Sequence, residues 1–460
     1  MVVTGVLDSG PSLQLRMLRA GAWLVGSNVV SQGLRLLSSL VLTRLLLPES
    51  FGLMAAVQTL YFALVMFSDL GVWQSVVTHP RGETPKFLGT AFSVQFARGL
   101  LLATIVALIA LALKLCALYA PFRADTVYAD PRLPAMVLVF ALSALLQGVE
   151  SMHIATTQRA LQTRLLTRLE LLTQLAGMVV TIACALWTHS VWSLLLGTVT
   201  AALARTWLSH TLFTGPAYTP CWDSASLRDI MRFGKWIFLS SLIGFAASNG
   251  EKLILGGSLA AQDFGVFSIA SLLLAAIVGL VGNLNAHLVF PGLSEALRSG
   301  DAAAHKVYTR VQQIADAMLG GIAGLILLLG SWVVRILYDA RYGQAGWMLQ
   351  VLALGLVAMR YQVLEQMMFA RNQPGWVTMS NSLRALALVV MVPLGYSLGG
   401  VQGAVLAVAA SQFAGWPVAI AFKLRQGLMS WKSEAVWPLA LLLGSALGWL
   451  AHVLLGRLLH

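Results

Sequence analysis

The sequence predicts an all-α integral membrane protein with 12–13 transmembrane helices in two pseudo-symmetric six-helix lobes. Three observations support this fold class: the composition, a series of apolar segments of membrane-spanning length, and an internal repeat. Of the 460 residues, 58% are hydrophobic and only 10% are charged, and the mean hydropathy is +0.79. That is far more apolar surface than the core of a soluble protein could bury, so we expect the chain to lie in a lipid bilayer.

Apolar segments of about 20 to 27 residues follow one another with short breaks, and each is long enough to cross a bilayer. Thirteen such segments are predicted, at 22–46, 51–77, 87–113, 135–158, 169–188, 191–214, 234–258, 264–290, 309–333, 343–369, 374–396, 401–423 and 435–458. The last follows the basic linker KLRQGLMSWKSE, and we interpret it as an appended helix outside a six-plus-six core. It either spans, which places the C-terminus outside, or is re-entrant or interfacial, which keeps the C-terminus inside.

The internal repeat relates the two halves of the chain at an offset of 213 residues. Two markers recur at this offset, Gly21-x-Trp23 as Gly234-x-Trp236 and Phe51-Gly52 as Phe264-Gly265. A polar stripe with helical spacing in the first span recurs in register, with Asn28, Ser31, Arg35 and Ser38 matched by Ser241, Gly244, Ser248 and Glu251, followed by Lys252. Two lobes built on one template, each beginning with a helix that carries buried polar groups, are typical of transporters with internal repeats.

The repeat divides the chain into four regions. They are an N-terminal six-helix lobe at 1–214, a cytoplasmic inter-lobe linker at 215–233, a C-terminal six-helix lobe at 234–424, and a basic linker with the extra hydrophobic segment at 425–460. The inter-lobe linker is rich in turn formers and polar residues. Its end, 226–233, is predicted to be a short amphipathic helix at the inner membrane surface.

Lysine and arginine are unevenly distributed between the two sides of the predicted bundle. One set of alternate ends and loops holds seventeen of these residues and the other set holds seven. The positive-inside rule therefore places the N-terminus of this multi-pass protein in the cytoplasm. The same rule explains the net charge of +12, which is spread over short loops without a basic run, and no nucleic-acid partner is expected.

Motifs for catalysis and for metal binding are missing from the sequence. It holds no Gly-rich phosphate loop, no HExxH, no GxSxG and no paired carboxylates on a loop. Cys116, Cys184 and Cys221 lie far apart without metal-ligand spacing, so we interpret them as packing residues. We therefore predict that the protein is not an enzyme and has no catalytic residue, metal site or resident cofactor.

Ionisable residues inside the spans are the candidate functional residues. A charge in the middle of a span costs about 2.5–3.5 kcal/mol even on insertion scales, so such residues face a protein interior or a watery cavity. The candidates for lining a substrate-binding cavity are Arg35, Arg98, Arg384, Arg360, Lys252 and Asn28. We expect Arg35, Arg98 and Arg384 to line one cavity, although interhelical ion pairing remains open for each of these charges.

Acidic and titratable residues at similar depth are candidates for coupling transport to an ion. They are Glu150, His153, Glu251 and Asp316. Glu150 and His153 are three residues apart and share a helix face, so they could form a protonation site or a structural hydrogen bond to a neighbouring helix. The expected coupling ion is H⁺ or Na⁺.

Three stretches carry a resemblance to a known family. LTRLLLPESFGLMAAV resembles the first hairpin of bacterial polysaccharide transporters, the Wzx-type flippases of the multidrug/oligosaccharidyl-lipid/polysaccharide exporter superfamily. The stretch from Glu251 to Gly256, followed by Phe264-Gly265-Val-Phe267-Ser268, is similar to a second family pattern. Pro291-Gly-Leu-Ser294, with Asp301 downstream, is similar to a third.

The resemblance implies a function. It is the transfer of an oligosaccharide linked to undecaprenyl diphosphate from the inner to the outer leaflet of a bacterial cytoplasmic (inner) membrane. The products of such pathways are exopolysaccharide, capsule, or the O-antigen of lipopolysaccharide, and the implied protein partners are a polysaccharide polymerase and a chain-length regulator. A cationic cavity between two lobes that open alternately would replace the hydration that the phosphates lose.

Two alternatives remain open from the sequence. The first is a drug or metabolite exporter of the same superfamily, with the same two lobes. The surplus of interior arginine favours an anionic cargo over a cationic drug. The second is a membrane enzyme, either a polysaccharide polymerase or a lipid-dependent glycosyltransferase. Such enzymes commonly have a large outer loop or a cytoplasmic acidic motif, whereas the longest outer connection here has about twenty residues.

Overall fold

The structure, a computed structural model, describes residues 13–119, 125–160 and 162–458, and these ranges are almost entirely α-helical. The first half contains α1 (Leu13–Leu45), α2 (Pro48–Phe67), α3 (Val72–Thr78), α4 (Pro85–Tyr119), α5 (Leu133–Gly148), α6 (His153–Arg159), α7 (Thr163–Thr188) and α8 (Trp192–Thr211). Residues 1–12, which the topology prediction places in the cytoplasm, and Arg123 in the loop 120–124 lie outside the described residues.

The second half continues with ten helices. They are α9 (Ser224–Ser258), α10 (Ala261–Leu284), α11 (Phe290–Arg298), α12 (Asp301–Leu337), α13 (Ala345–Ala358), α14 (Gln362–Ala370), α15 (Pro374–Ser411), α16 (Trp416–Arg425), α17 (Trp431–Glu434) and α18 (Val436–Leu458). The predicted amphipathic helix at 226–233 is not a separate element. It forms the first turns of α9, which begins with the side chain of Asp223 accepting a hydrogen bond from the backbone N–H of Ser226 at 2.9 Å.

Helices long and apolar enough to cross a membrane dominate the chain, so the predicted all-α integral membrane class is confirmed. The described residues hold eight such segments, or nine if α5 and α6 are counted as one span. One of the eight, 374–425, contains two of the predicted spans. Three further long helices, α1, α8 and α9, are less apolar because they carry polar residues. That all thirteen predicted segments cross the membrane therefore stays a prediction.

Every predicted segment coincides with helix, but several are broken near the middle of the bundle. The second segment is interrupted at 68–71, and the fourth bends by 61° between α5 and α6. The tenth contains a short 3₁₀ turn at Met359–Tyr361. α15 runs through two predicted segments and turns back at Gly399 and Gly400. The backbone φ of Gly400 is +57°, a conformation that suits glycine.

The two halves of the chain meet in a reciprocal contact between α2 and α10. A Cβ atom on Gly52 would lie 2.6 Å from the carbonyl oxygen of Ala261, and one on Gly265 would lie 1.8 Å from the carbonyl oxygen of Pro48. Both pairs are related by the offset of 213, so each half presents the same patch to the other. That is the pattern a two-fold axis generates. It supports the predicted duplication, while superposition of 22–77 on 235–290 stays a prediction.

One end of the bundle is closed by contacts between the halves. This end holds the loops 46–47, 125–130 and 338–344, and we call it the 125–130 end. Here the backbone N–H of Ala261 donates to the carbonyl oxygen of Asp125 at 2.9 Å, and the hydroxyl of Tyr342 donates to that of Leu46 at 3.0 Å. Apolar residues of both halves, among them Leu53 and Phe267, share one buried core. The opposite end, which holds the loop 79–84, we call the 79–84 end.

α18 packs against α12 of the second half, and its position outside a six-plus-six core stays a prediction. A Cβ atom on Gly324 of α12 would lie 2.3 Å from the carbonyl oxygen of Leu441. Gly444 faces Gly321 at a similarly short distance. Small residues thus let the backbones of α12 and α18 touch, as is common between membrane helices.

Candidate functional site

The first cavity lies inside the first half, between α1, α2, α7 and α8, and has a volume of about 640 Å³. Its lining mixes apolar and polar residues, and two of the polar ones are charged. The polar lining residues are Asn28, Ser31, Ser38, Ser39, Gln58, Thr173, Gln174, Thr181 and Thr198, together with Arg35 and Glu170. Towards the 125–130 end an apolar cluster that includes Leu42, Leu46 and Phe51 adjoins the cavity. The polar stripe predicted on the first span therefore faces a cavity rather than lipid.

Arg35 is the cation of this cavity. Its side chain is exposed to the cavity, and it makes no ion pair or hydrogen bond with the part of the chain that the structure describes. One helical turn before Arg35, two hydrogen bonds connect α1 to α7. Ser31 donates to Gln174 at 2.6 Å, and the Gln174 amide donates to the carbonyl oxygen of Ser31 at 2.8 Å. These bonds fix α1 against α7 and leave Arg35, one turn further along, available to a ligand.

Glu170 shares the cavity with Arg35 but at a different depth. α1 and α7 run in the same direction, since His189 at the end of α7 contacts the carbonyl oxygen of Leu45. Arg35 lies one turn above the bonded pair Ser31 and Gln174, and Glu170 lies one turn below it. At 1.5 Å per residue the two charges are about 12 Å apart along the helices, too far for an ion pair.

The second cavity lies inside the second half, between α9, α10, α13, α15 and the turns that follow them, and has a volume of about 330 Å³. Its polar lining residues are Ser248, Asn249, Glu251, Lys252, Ser271, Gln362, Asn381, Arg384 and Gln412. Arg384 lies 3.3 Å from Glu365, a residue just behind the lining. Glu251 Oε2, Glu365 Oε1 and Arg384 Nε are buried without a hydrogen-bond partner among the described residues.

The two cavities occupy equivalent places in the two halves. At the offset of 213, Leu34, Arg35, Ser38, Ser39, Met54 and Gln58 of the first cavity correspond to Ala247, Ser248, Glu251, Lys252, Phe267 and Ser271 of the second. At an offset of 211, Glu170, Thr173, Gly197, Thr198 and Ala201 correspond to Asn381, Arg384, Val408, Ala409 and Gln412. The two cavities thus occupy equivalent places in the two halves. Their charged residues, however, are not at equivalent positions in the linings.

The structure does not bring Arg35, Arg98 and Arg384 into one cavity as we expected. Arg35 and Arg384 belong to different halves, and Arg98 lines neither cavity. Arg98 instead donates to the carbonyl oxygen of Val65 at 2.8 Å and to the Ser68 hydroxyl at 3.0 Å. It therefore satisfies the backbone where α2 ends inside the bundle, which is a structural task.

Arg360 and Asp316 form a buried ion pair and line neither cavity. Arg360 donates to both carboxylate oxygens of Asp316, at 2.8 and 2.6 Å, and to Glu434 at 2.6 Å. Lys423 also contacts Glu434. This cluster joins α12, the turn at Met359–Tyr361, α16 and α17, so the charges balance one another inside the lobe.

The remaining ion-coupling candidates have partners in the first half. Glu150 accepts a hydrogen bond from Arg205 at 3.1 Å. His153 contacts the carbonyl oxygen of Pro216 at 3.2 Å and packs edge-on against Tyr218. Of the four candidates only Glu251 lines a cavity.

Several cavity residues were missed by the sequence analysis. Glu170, Thr173, Gln174, Gly177 and Thr181 line the first cavity from α7. Their three- and four-residue spacing forms the same kind of polar stripe that identified the first span. The stripe is visible in the sequence, but its one charged residue, Glu170, lies at the end of the predicted span rather than at its centre.

The fold and the two intramembrane cavities define the class, an all-α integral membrane protein with the fold of the MOP-superfamily transporters. Solved structures of that fold superpose on most of the chain. The lipid II flippase MurJ in an inward closed conformation has a TM-score of 0.65 at 11% identity, with coverage of 94% of this chain and 99% of MurJ. An inward-facing multidrug resistance MATE family transporter of the MOP superfamily has a TM-score of 0.62 at 14% identity, with coverage of 86% of this chain and 94% of the transporter.

The chain belongs to the polysaccharide biosynthesis protein family, whose model matches residues 41–346. This confirms the resemblance to polysaccharide transporters. A relative from Klebsiella pneumoniae, described as an uncharacterized membrane protein in the cps region, is 19% identical over 329 residues. The match covers 71% of this chain and 65% of that relative, so the chain spans less than two thirds of the relative's length.

Proposed function

We propose that the protein is a flippase that moves an oligosaccharide linked to undecaprenyl diphosphate from the inner to the outer leaflet of a bacterial inner membrane. Its product would enter the synthesis of a cell-surface polysaccharide such as exopolysaccharide, capsule or O-antigen. The membership in a polysaccharide biosynthesis family and the fold shared with MurJ support this proposal. The observation that carries it is the unpaired Arg35 in a polar cavity of the first half.

Arg35 suits the diphosphate of such a lipid. A diphosphate that enters the membrane loses its hydration, and a guanidinium can replace it with two parallel charge-assisted hydrogen bonds. The neighbouring serines, threonines and glutamines can donate to the remaining phosphate oxygens. The polyprenyl tail would stay in lipid throughout. No bond is made or broken, so the cavity needs no catalytic group.

Transport would proceed by alternating access of the two lobes. In the observed state the contacts at the 125–130 end, including those of Asp125 and Tyr342, close the bundle on that side. By the positive-inside rule that side faces away from the cytoplasm, so cargo would be taken up from the inner leaflet. We propose the linker 215–233 as the hinge, because it is the covalent connection between the lobes.

Energy for the cycle would come from a coupling cation, H⁺ or Na⁺. Glu251 is the residue at which we propose the cation acts, because one of its carboxylate oxygens is buried without a partner among the described residues. Glu150 and Asp316 each have an arginine partner. Neutralising Glu251 as Glu251→Gln should lower transport of every cargo equally.

The test of the proposed function is the replacement of Arg35. Arg35→Ala should lower export of the lipid-linked oligosaccharide roughly 10- to 100-fold, the effect of losing hydrogen bonds to a charged group, and Arg35→Lys should restore it in part. Arg44→Ala is the matched control, since Arg44 lies on the same helix outside the cavity. The measurement is the amount of lipid-linked oligosaccharide trapped on the inner leaflet at equal protein abundance. Normal export by Arg35→Ala would refute the role of this cavity.

A drug or metabolite exporter is the second candidate function, and Glu170 is the observation that favours it. A carboxylate in the first cavity could bind a cationic compound. If Glu170→Gln abolished resistance to cationic compounds while Arg35→Ala left polysaccharide export intact, the exporter would replace the flippase as the better account.

A further inference from the structure

The second cavity contains donors and acceptors in nearly equal number. The lining holds one carboxylate, Glu251, and two cations, Lys252 and Arg384, and the charge of Arg384 is matched by Glu365 just behind the lining, at 3.3 Å. The rest of the polar lining consists of amides and hydroxyls, which can donate and accept. The coupling cation proposed for Glu251 would use one carboxylate of this lining, and the surrounding amides and hydroxyls suit an uncharged ligand with many hydroxyl groups.

Unpartnered polar atoms in the wall support the presence of a ligand. Glu251 Oε2 and Arg384 Nε are buried and have no hydrogen-bond partner among the described residues, whereas Glu365 Oε1 forms an ion pair with Arg384 at 3.3 Å. A buried polar atom without a partner costs free energy, and native proteins keep few of them. Because Glu251 and Arg384 both line the cavity, a ligand bound there could supply the missing hydrogen bonds.

The position of the second cavity relates it to the first. α10 separates them: Leu272 lines the first cavity, whereas Ser271, Leu274 and Ala275 line the second from the other face of the same helix. The two cavities also occupy equivalent places in the duplicated halves. A cargo with two chemically different parts could therefore engage one half with each part.

We propose that the second cavity binds a sugar of the cargo, with Asn381, Gln412 and Arg384 as specificity-determining residues. This inference rests on the proposed function, because it assigns the diphosphate to the first cavity and the sugar to the second. The volume of about 330 Å³ is at the lower end of the range for small-molecule pockets, about 300–1,000 Å³, so the cavity suits a terminal sugar rather than a whole repeat unit. Planar amide and guanidinium groups bind neighbouring hydroxyls with two hydrogen bonds each.

The position of Asn381 and Gln412 makes the proposal specific to this half. Their counterparts in the first cavity are Glu170 and Ala201, so the second cavity has amides at two positions where the first has none. A hydrogen-bonding site of this kind discriminates between sugars that differ in one hydroxyl, because the wrong sugar leaves a buried amide without a partner.

The experiment compares ligands that share a lipid diphosphate and differ in the sugar. The full-length protein in lipid nanodiscs is titrated with undecaprenyl diphosphate alone, and with undecaprenyl diphosphate bearing a trisaccharide that ends in glucose, galactose or N-acetylglucosamine, which is long enough to reach past α10. Asn381→Ala and Gln412→Ala should each weaken binding of the preferred sugar-bearing lipid roughly 3- to 10-fold and leave binding of undecaprenyl diphosphate unchanged. Ser382→Ala, an exposed change on the same helix that does not line the cavity, is the control and should alter neither.

The outcomes separate this proposal from the proposed function. If Arg35→Ala weakens all four ligands and the amide variants weaken none selectively, the sugar site is refuted and the flippase stands. If the amide variants act selectively while Arg35→Ala changes nothing, the sugar site stands and the role of Arg35 fails. Equal binding of bare and sugar-bearing lipid by the unaltered protein would also overturn the sugar site. The same holds if Asn381→Ala and Gln412→Ala instead abolish a thermal stabilisation by Na⁺, measured against K⁺ without lipid, since the two amides would then serve the coupling cation at Glu251 rather than a sugar.

Discussion

Arginine side chains within the helical bundle serve three different purposes. Arg98 donates to the end of α2, Arg360 lies in a closed set of ion pairs, and Arg35 faces a cavity with no partner among the described residues. The free energy of a buried arginine depends on what it contacts. Only the third environment leaves the charge available to a ligand, so Arg35 is the arginine that we connect with transport.

The Arg360 cluster leads to a prediction about stability. Asp316→Asn removes one partner of a guanidinium whose side chain is only 1% exposed, and this should lower the free energy of unfolding by about 3–5 kcal/mol. The measurement is thermal or denaturant unfolding of the detergent-solubilised protein. The double variant Asp316→Leu with Arg360→Met removes both charges and should recover much of the loss. If Asp316→Asn were as stable as the unaltered protein, Glu434 alone would neutralise Arg360.

The sequence predicted which residues of the site are polar and buried, but not which of them meet. The spacing of Asn28, Ser31, Arg35 and Ser38 was sufficient to predict that one face of α1 avoids lipid. The environment of Arg98 could not be predicted, because it depends on α2 ending at Phe67 inside the bundle. The turn formers Ser68, Asp69 and Gly71 signal that break, but they do not tell which side chain bonds the carbonyl groups that it leaves free.

Close contacts between helices are made at glycines in this fold. Gly52 meets Gly265 between the halves, and Gly324 lies against the backbone of α18. In a membrane, where lipid is as apolar as leucine, close packing rather than hydrophobic burial holds helices together. The basic linker before α18 predicted an appended helix, and the glycines of α12 and α18 are the signal in the sequence for where that helix packs.

The contact between α12 and α18 leads to a prediction about two glycines of one helix. A Cβ atom on Gly324 would lie 2.3 Å from the Leu441 carbonyl oxygen, so Gly324→Ala should lower the free energy of unfolding by about 1–3 kcal/mol. Gly321→Ala is the matched control, because a Cβ atom there would have nothing within 4 Å. Replacing glycine by alanine in a helix with free space stabilises by roughly 0.5–1 kcal/mol. The two variants should therefore shift the unfolding temperature in opposite directions, and equal shifts would argue against the packing of α18.

At the scale of the whole molecule, the chain is a duplicated unit whose halves have diverged in charge. The constant offsets between the two cavities, and the reciprocal contact of Gly52 and Gly265, support a common template. The repeat itself could be predicted from the sequence because glycine and aromatic markers were retained. Which charged residues belong to which cavity could not be predicted from the sequence. That assignment requires knowing that α7 lines the first cavity and α15 the second.

The closed 125–130 end leads to a prediction about the transport cycle. Thr126 and Ala260, one from each half, face each other in an isolated antiparallel β-bridge. Residues opposed in this way have Cα atoms about 4.5–5.5 Å apart, which suits a disulfide. In a variant with Cys116, Cys184 and Cys221 replaced by serine, Thr126→Cys with Ala260→Cys should form a disulfide under mild oxidation. Because alternating access requires this end to open, the disulfide should stop transport until a reductant is added.

Single cysteine variants separate the effect of the disulfide from that of the substitutions. Thr126→Cys alone and Ala260→Cys alone should transport normally with and without oxidant, since neither can join the halves. Export is measured as lipid-linked oligosaccharide that reaches the outer leaflet, and crosslinking as the fraction of protein whose mobility changes on reduction. Full export by a completely crosslinked double variant would mean that the 125–130 end does not open during the cycle. The cargo would then have to leave through the side of one lobe. It could not pass between the lobes with one part bound in each cavity.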